Sequence, residues 1–133
     1  MRSSKLPPFR TLPHARARGQ AAEAQAVAFL EEKGLKVLGR NVRTPVGEID
    51  LIARDGQTLC FVEVKARASK EFGEGVAAVN RAKQRRMARA AAWYLARFPW
   101  DGACRFDVLS LDLQPNGLWR ATYLPNAFEV PWP

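Results

Sequence analysis

Apolar residues recur at helical spacing from about Arg18 onward, at Ala21, Ala22, Ala26, Phe29 and Leu30, and predict a first helix that Gly34 stops. Beyond it the period shortens to that of strands. Residues 35–42 read as a short strand, interrupted by Pro45, and residues 46–54 and 58–67 as two more joined at Asp55-Gly56, a strong hairpin signal. Gly73 and Gly75 mark residues 68–75 as a loop. A second helix is predicted over 79–98, with Met87, Ala90, Ala91, Tyr94, Leu95 and Phe98 on one face and Pro99 as its stop. Cys104, Phe106, Val108, Leu111 and Leu113 predict a fourth strand, Pro115-Asn116-Gly117 a turn, and residues 118–124 a fifth strand. Residues 125–133 read as a tail draped over the surface. The order helix, three strands, helix, two strands predicts an α/β fold with a central mixed sheet of about five strands flanked by helices. Residues 1–16 carry Pro7, Pro8 and Pro13 among scattered arginines and read as a basic flexible arm ahead of a single domain at 17–133.

The second and third strands are apolar on both faces near their turn, with Ile52, Leu59 and Phe61 on one side and Leu51, Val62 and Val64 on the other. Such strands belong in the middle of a sheet covered on both faces. Yet they also carry charge: Glu48 and Asp50 share one face of the second strand, Glu63 and Lys65 one face of the third. A turn at Asp55-Gly56 sets residue i opposite 111 − i, and a turn at Gly56-Gln57 sets it opposite 113 − i. Either register puts Asp50 on the face of Glu63 and Lys65, and the second puts Asp50 directly opposite Glu63. Facing side chains start roughly 5 Å apart, close enough for two carboxylates to share one hard cation. A lone acid on an amphipathic strand is most often an ordinary solvated charge. Two acids and a lysine on facing strands with apolar flanks point instead to a site. Glu48 faces Lys65 in the second register, and its expected role is to pair with that lysine.

Charge narrows the partners. The chain has 133 residues and a formal net charge of +8, a balance that fits a polyanion such as nucleic acid. Residues 1–20 contain Arg2, Lys5, Arg10, Arg16 and Arg18 and no acid. The second helix offers Arg81, Lys83, Arg85, Arg86 and Arg89 opposite its apolar face, a stripe suited to a phosphate backbone or to plain solvation. Gln84 is a further residue that could approach the site. Trp93, Trp100, Trp119 and Tyr123 read as core or interface residues. The arm is free to clamp DNA, to wrap a partner subunit or to do neither.

Other chemistries are disfavoured. His14 is the only histidine and lies in the arm, which argues against a histidine base or ligand inside the fold. Cys60 and Cys104 sit in separate apolar runs, form no zinc-type cluster and fit a reducing cytoplasm. No apolar run is long enough to span a membrane, and the basic N-terminus lacks a signal peptide's apolar stretch. An all-oxygen donor set favours Mg²⁺ or Mn²⁺ over zinc.

Asp50, a hairpin spacing, then Glu63-x-Lys65 is similar to the active-site pattern of the restriction-endonuclease-like nucleases. More specifically, the stretches Gly-Glu-Ile-Asp-Leu-Ile at 47–52, Val-Glu-Val-Lys-Ala-Arg at 62–67 and Arg105-Phe106-Asp107 together resemble the YraN family, bacterial proteins considered similar to archaeal Holliday junction resolvases. The resemblance covers residues 17–124. It implies a restriction-endonuclease-like fold and a metal-dependent endonuclease for branched or structured DNA. It also implies a homodimer, since cutting two strands takes two active sites. By this resemblance Asp50 and Glu63 hold Mg²⁺ or Mn²⁺ with help from the Val64 carbonyl, and Lys65 orients the attacking water and stabilises charge on the phosphoryl oxygens. Glu23 matches a family glutamate on the first helix near the metal, although a helix glutamate taken by itself is usually just solvated. Two alternatives stay open: a nucleic-acid-binding module of the same fold that is non-catalytic or acts only with a partner, and a ribosome-associated or other structural basic protein.

Overall fold

The computed structural model describes residues 17–67 and 79–130. The arm at 1–16 and the glycine-containing loop at 68–75 lie outside the described residues. The elements follow the expected order: α1 (Ala17–Glu32), β1 (Lys36–Thr44), β2 (Gly47–Asp55), β3 (Thr58–Arg67), α2 (Arg81–Arg97), β4 (Cys104–Leu113) and β5 (Trp119–Phe128). The five strands form one sheet in sequence order, antiparallel throughout except for the parallel pair β3 and β4. A parallel pair cannot be joined by a tight turn, so the chain crosses over, and α2 lies in that crossover. The fold is thus the expected α/β arrangement around a mixed five-stranded sheet.

Two separate apolar clusters explain why both faces of β2 and β3 are hydrophobic. On one face, Ile52, Leu59, Phe61, Phe106 and Val108 pack against Met87, Ala88, Ala90, Ala91 and Tyr94 of α2. On the other, Leu51, Val62, Leu109 and Leu111 pack against Ala22, Ala26, Val27 and Leu30 of α1. The small residues of α1 recur every fourth position and let it lie close on the sheet. Asn80 caps α2, its side chain accepting the Lys83 N–H, and the Phe98 N–H closes the other end on the Tyr94 carbonyl. No helix of the described residues is long and apolar enough to cross a membrane.

The β2–β3 turn is made by Gly56-Gln57, with Asp55 paired to Thr58, so residue i faces 113 − i. Gly56 takes a positive φ of 60°, as one residue of a tight hairpin turn must. Nearby, a Cβ at Gly102 would stand 2.3 Å from the Gln57 carbonyl oxygen, which accepts the Trp100 indole N–H. Trp93 and Trp100 are packed against the α2-side core and Trp119 and Tyr123 against the α1-side core, as expected.

The C-terminal stretch departs from expectation. Residues 125–128 are not a draped tail but the end of β5, where Phe128 pairs with Phe106 and stacks on its ring at 5.1 Å. Pro125 masks the strand pattern. An irregularity between Phe106 and Val108, with Asn126 at φ 52°, absorbs the break in register and lets pairing resume.

Candidate active site at the fork of the sheet

The pairing of β2 with β3 runs from the turn only as far as Leu51 and Val62. Beyond that point β2 continues beside β1 down to Gly47, while β3 continues beside β4 up to Arg67. The sheet therefore forks, and the next residues along its two arms are Asp50 and Glu63. A fork strands backbone groups that the ladder would have satisfied. Asp50 answers this directly: its Oδ2 accepts the Val64 N–H at 2.8 Å. The acid thus bridges the gap between the two strands.

Alternation places Asp50, Glu63 and Lys65 on the α2 side of the sheet. A cleft of about 120 Å³ opens there, lined by Gly47, Glu48, Asp50 and Glu63 from the strands and by Lys83, Arg86 and Met87 from α2. Glu63 is buried, and two lysines meet it: Lys83 Nζ at 3.1 Å and Lys65 Nζ at 3.8 Å from the same oxygen, Oε2. Burial, then the negative charge of Glu63, pushes the Asp50 carboxyl well above the usual carboxylate range, against the lowering pull of the Val64 N–H. Like charges held together in a poorly solvated fork give the site a standing demand for positive charge.

The other sequence-named residues fall as follows. Arg81, Arg85, Arg86 and Arg89 are exposed, on the side of α2 away from the core. Lys83 does not share that face: it precedes Met87 by one turn, on the row that faces the sheet, and is half-buried against Glu63. Its spacing to Met87, Ala90 and Tyr94 was the available signal. Gln84 turns to the backbone, donating to the Val79 carbonyl at 3.0 Å. Glu48 pairs with Arg43 of β1 at 3.8 Å rather than with Lys65, because β2 at that point has left β3 and faces β1. Glu23, half-buried on α1, accepts from the Asn41 amide at 2.8 Å. Asn41 has a positive φ of 48° on β1, a strand whose pairing with β2 shifts register between Val37 and Gly39. The described residues hold no group of three or more acids, histidines or cysteines arranged for a metal, so Glu23 does not complete one with Asp50 and Glu63 here.

A second buried acid lies on the other face. Asp107 accepts from Arg105 Nε at 2.9 Å, from the Tyr123 hydroxyl, and from the Asn126 N–H at 2.8 Å, while Arg105 also reaches Asp55 at 3.1 Å. Every partner belongs to the fold itself, so the Arg105-Phe106-Asp107 stretch ties β4 to β5 and to the end of β2.

A mixed α/β sheet forked around two acids, with a lysine beside them and a basic helix above, defines this chain as an α/β protein with a polar site at the parting of its central strands. The model of the uncharacterised protein family UPF0102 matches residues 22–111, and the chain belongs to that family, the one its sequence stretches resemble under the name YraN. A UPF0102 protein of Symbiobacterium thermophilum is 47% identical over 113 residues, covering 84% of this chain and 96% of its own. One from Shewanella loihica is 52% identical over 95 residues, covering 71% and 83%, and one from a Janthinobacterium species is 45% identical over 112 residues, covering 84% and 87%. The family match takes in α1 from Ala22 onward, the forked hairpin and α2.

Proposed function

We propose that the chain is a divalent-metal-dependent endonuclease that hydrolyses phosphodiester bonds in branched or otherwise structured DNA, acting as a homodimer. The observation that carries this is the fork itself, which sets Asp50 and Glu63 together in one cleft, with Lys65 beside Glu63 at 3.8 Å, and raises Asp50 through burial and the charge of Glu63. The donor set fits a hard cation: the acids offer only oxygen, and Mg²⁺ is commonly held by one or two carboxylates, the rest of its shell being water and substrate phosphate. Asp50 and Glu63 would hold the ion, and the lysine ammonium on Glu63 shows that this carboxylate already takes a cation. Glu23, with its Asn41 partner, is the candidate for an outer contribution. A bound Mg²⁺ or Mn²⁺ supplies positive charge to the phosphoryl oxygens and lowers the pKa of its water.

The chain's own groups do the remaining work. Lys65, half-exposed beside Glu63, orients the attacking water and offers positive charge to the phosphate. Arg86 stands at the cleft, and Arg81, Arg85 and Arg89 extend its charge along the exposed face of α2, where they would hold the phosphate backbone. Two copies are needed to cut two strands of a junction. The free thiols of Cys60 and Cys104 fit a reducing cytoplasm.

A second function has one observation in its favour. Glu63 is met by two lysines of the chain itself, as suits a nucleic-acid-binding protein of the same fold that does not cleave. The two are separated by incubating the protein with labelled single-stranded, duplex, flap and four-way-junction DNA in Mg²⁺, Mn²⁺ or EDTA, beside a Glu63→Ala, Lys65→Ala double variant. Metal-dependent cutting by the intact protein alone, with one structure preferred, is the expected result. Equal binding by both proteins with no cutting by either overturns the nuclease and leaves the binding protein.

A further inference from the structure

We infer that Lys83 is a built-in counter-ion of the site, occupying the cation position of Glu63 when no metal is bound and leaving it when one arrives. The inference rests on the metal-dependent reading above and adds a residue to it. Glu63 keeps only 7% of its side-chain exposure, and a carboxylate so placed must be paired. Lys65, its neighbour along β3, reaches only to 3.8 Å. Lys83 comes from a different element and makes the closer contact, 3.1 Å to the same Oε2.

The geometry makes this contact both precise at its root and free at its tip. The Lys83 backbone N–H is fixed by the Asn80 cap at 2.8 Å, so the first turn of α2 holds the residue over the cleft. Its side chain is 32% exposed, on a four-carbon stem that can carry the ammonium out to the rim without moving the helix. A divalent ion bound to Glu63 through the same oxygen would meet that ammonium at close range, and two cations do not share one carboxylate oxygen comfortably. Metal binding therefore displaces Lys83. The released ammonium stays at the mouth of the cleft beside Arg86, where an incoming phosphate would meet it. This gives Lys83, which pairs with Glu63 directly, a different standing from the exposed Arg81, Arg85, Arg86 and Arg89.

The test is metal binding itself. Mn²⁺ and Mg²⁺ are titrated calorimetrically into the full-length protein and into Lys83→Met and Lys83→Arg variants at one pH, with melting temperatures recorded with and without metal. Removing the competing charge is expected to tighten Mn²⁺ binding in Lys83→Met by about tenfold. It is also expected to enlarge the rise in melting temperature that metal produces, while Lys83→Arg stays near the parent. Should Lys83→Met not fold without metal, Lys83→Gln, which keeps a hydrogen bond to Glu63 but no charge, makes the same comparison. Binding in the variant that equals or falls below that of the parent overturns the counter-ion role and leaves the metal site standing. No binding to any of the proteins at millimolar metal overturns the metal site, and the counter-ion role with it.

Discussion

Asp50 carries the cost of the site in its own titration. Burial and the neighbouring Glu63 favour its neutral form in the fold, so the folded chain holds a proton that the unfolded chain has released. Between about pH 4, where the unfolded carboxyl ionises, and about pH 8, its folded value, stability must fall as pH rises. Asp50→Asn keeps an oxygen for the Val64 N–H and removes the charge. In EDTA it should match the parent at pH 4 and exceed it at pH 8. The gain should be on the order of 2 kcal/mol, less than the full shift because solvent reaches the cleft. Urea unfolding at both pH values measures this, and an Asn variant no more stable than the parent at pH 8 would show that the acid is not strained. Sequence placed Asp50 opposite Glu63 as one of two registers. That Asp50 also caps the Val64 N–H was not legible, because it follows from where the β2–β3 ladder stops.

At the scale of elements, α2 divides its cations between two tasks. Arg81, Arg85, Arg86 and Arg89 face solvent, and changing all four to Gln should leave the helix and its apolar row intact. If they follow a phosphate backbone, binding of duplex DNA should weaken, and the slope of log affinity against log salt should become shallower by about 3.6, at roughly 0.9 for each of four lost contacts. Fluorescence anisotropy across a salt series reads that slope, and an unchanged slope would mean the stripe is merely solvated. Helical periodicity was enough to find the apolar face of α2, but counting arginines and lysines together hid Lys83 among them. Its place one turn before Met87 was the distinguishing mark. The strands show the same limit: alternation found all five, yet Pro125 hid the last turn of pairing in β5, which depends on a break in register opposite Asp107 that no local pattern announces.

Over the whole molecule, two of the buried acids, Glu63 and Asp107, serve opposite ends, one on each face of the sheet. Glu63 and Asp50 are held where like charges oppose each other, and the fold gives up stability to keep them. Asp107 is held where every donor converges on it: Arg105, Tyr123 and the Asn126 N–H, which together bind β5 to the sheet. The order of elements and the pairing of the acids were readable because they are periodic. The Arg105-Phe106-Asp107 stretch was readable only as a resemblance, since its partners lie on two other strands. The structure gives that stretch a stabilising part, and the proposed chemistry rests on the fork alone. Asp107→Ala leaves the Tyr123 hydroxyl and the Asn126 N–H without their acceptor and Arg105 with Asp55 as its ion-pair partner, so it should cost about 3 kcal/mol in urea unfolding. Glu63→Gln relieves the charge on Asp50 but also takes the ion-pair partner from Lys83 and Lys65, two opposed effects, so it should change stability less than Asp107→Ala does. Cleavage should follow the reverse order when both are assayed cold, where the Asp107 variant is still folded: nearly full in Asp107→Ala and lost in Glu63→Gln. An Asp107 variant that stays stable but no longer cuts would move this second acid from the frame of the molecule into its chemistry.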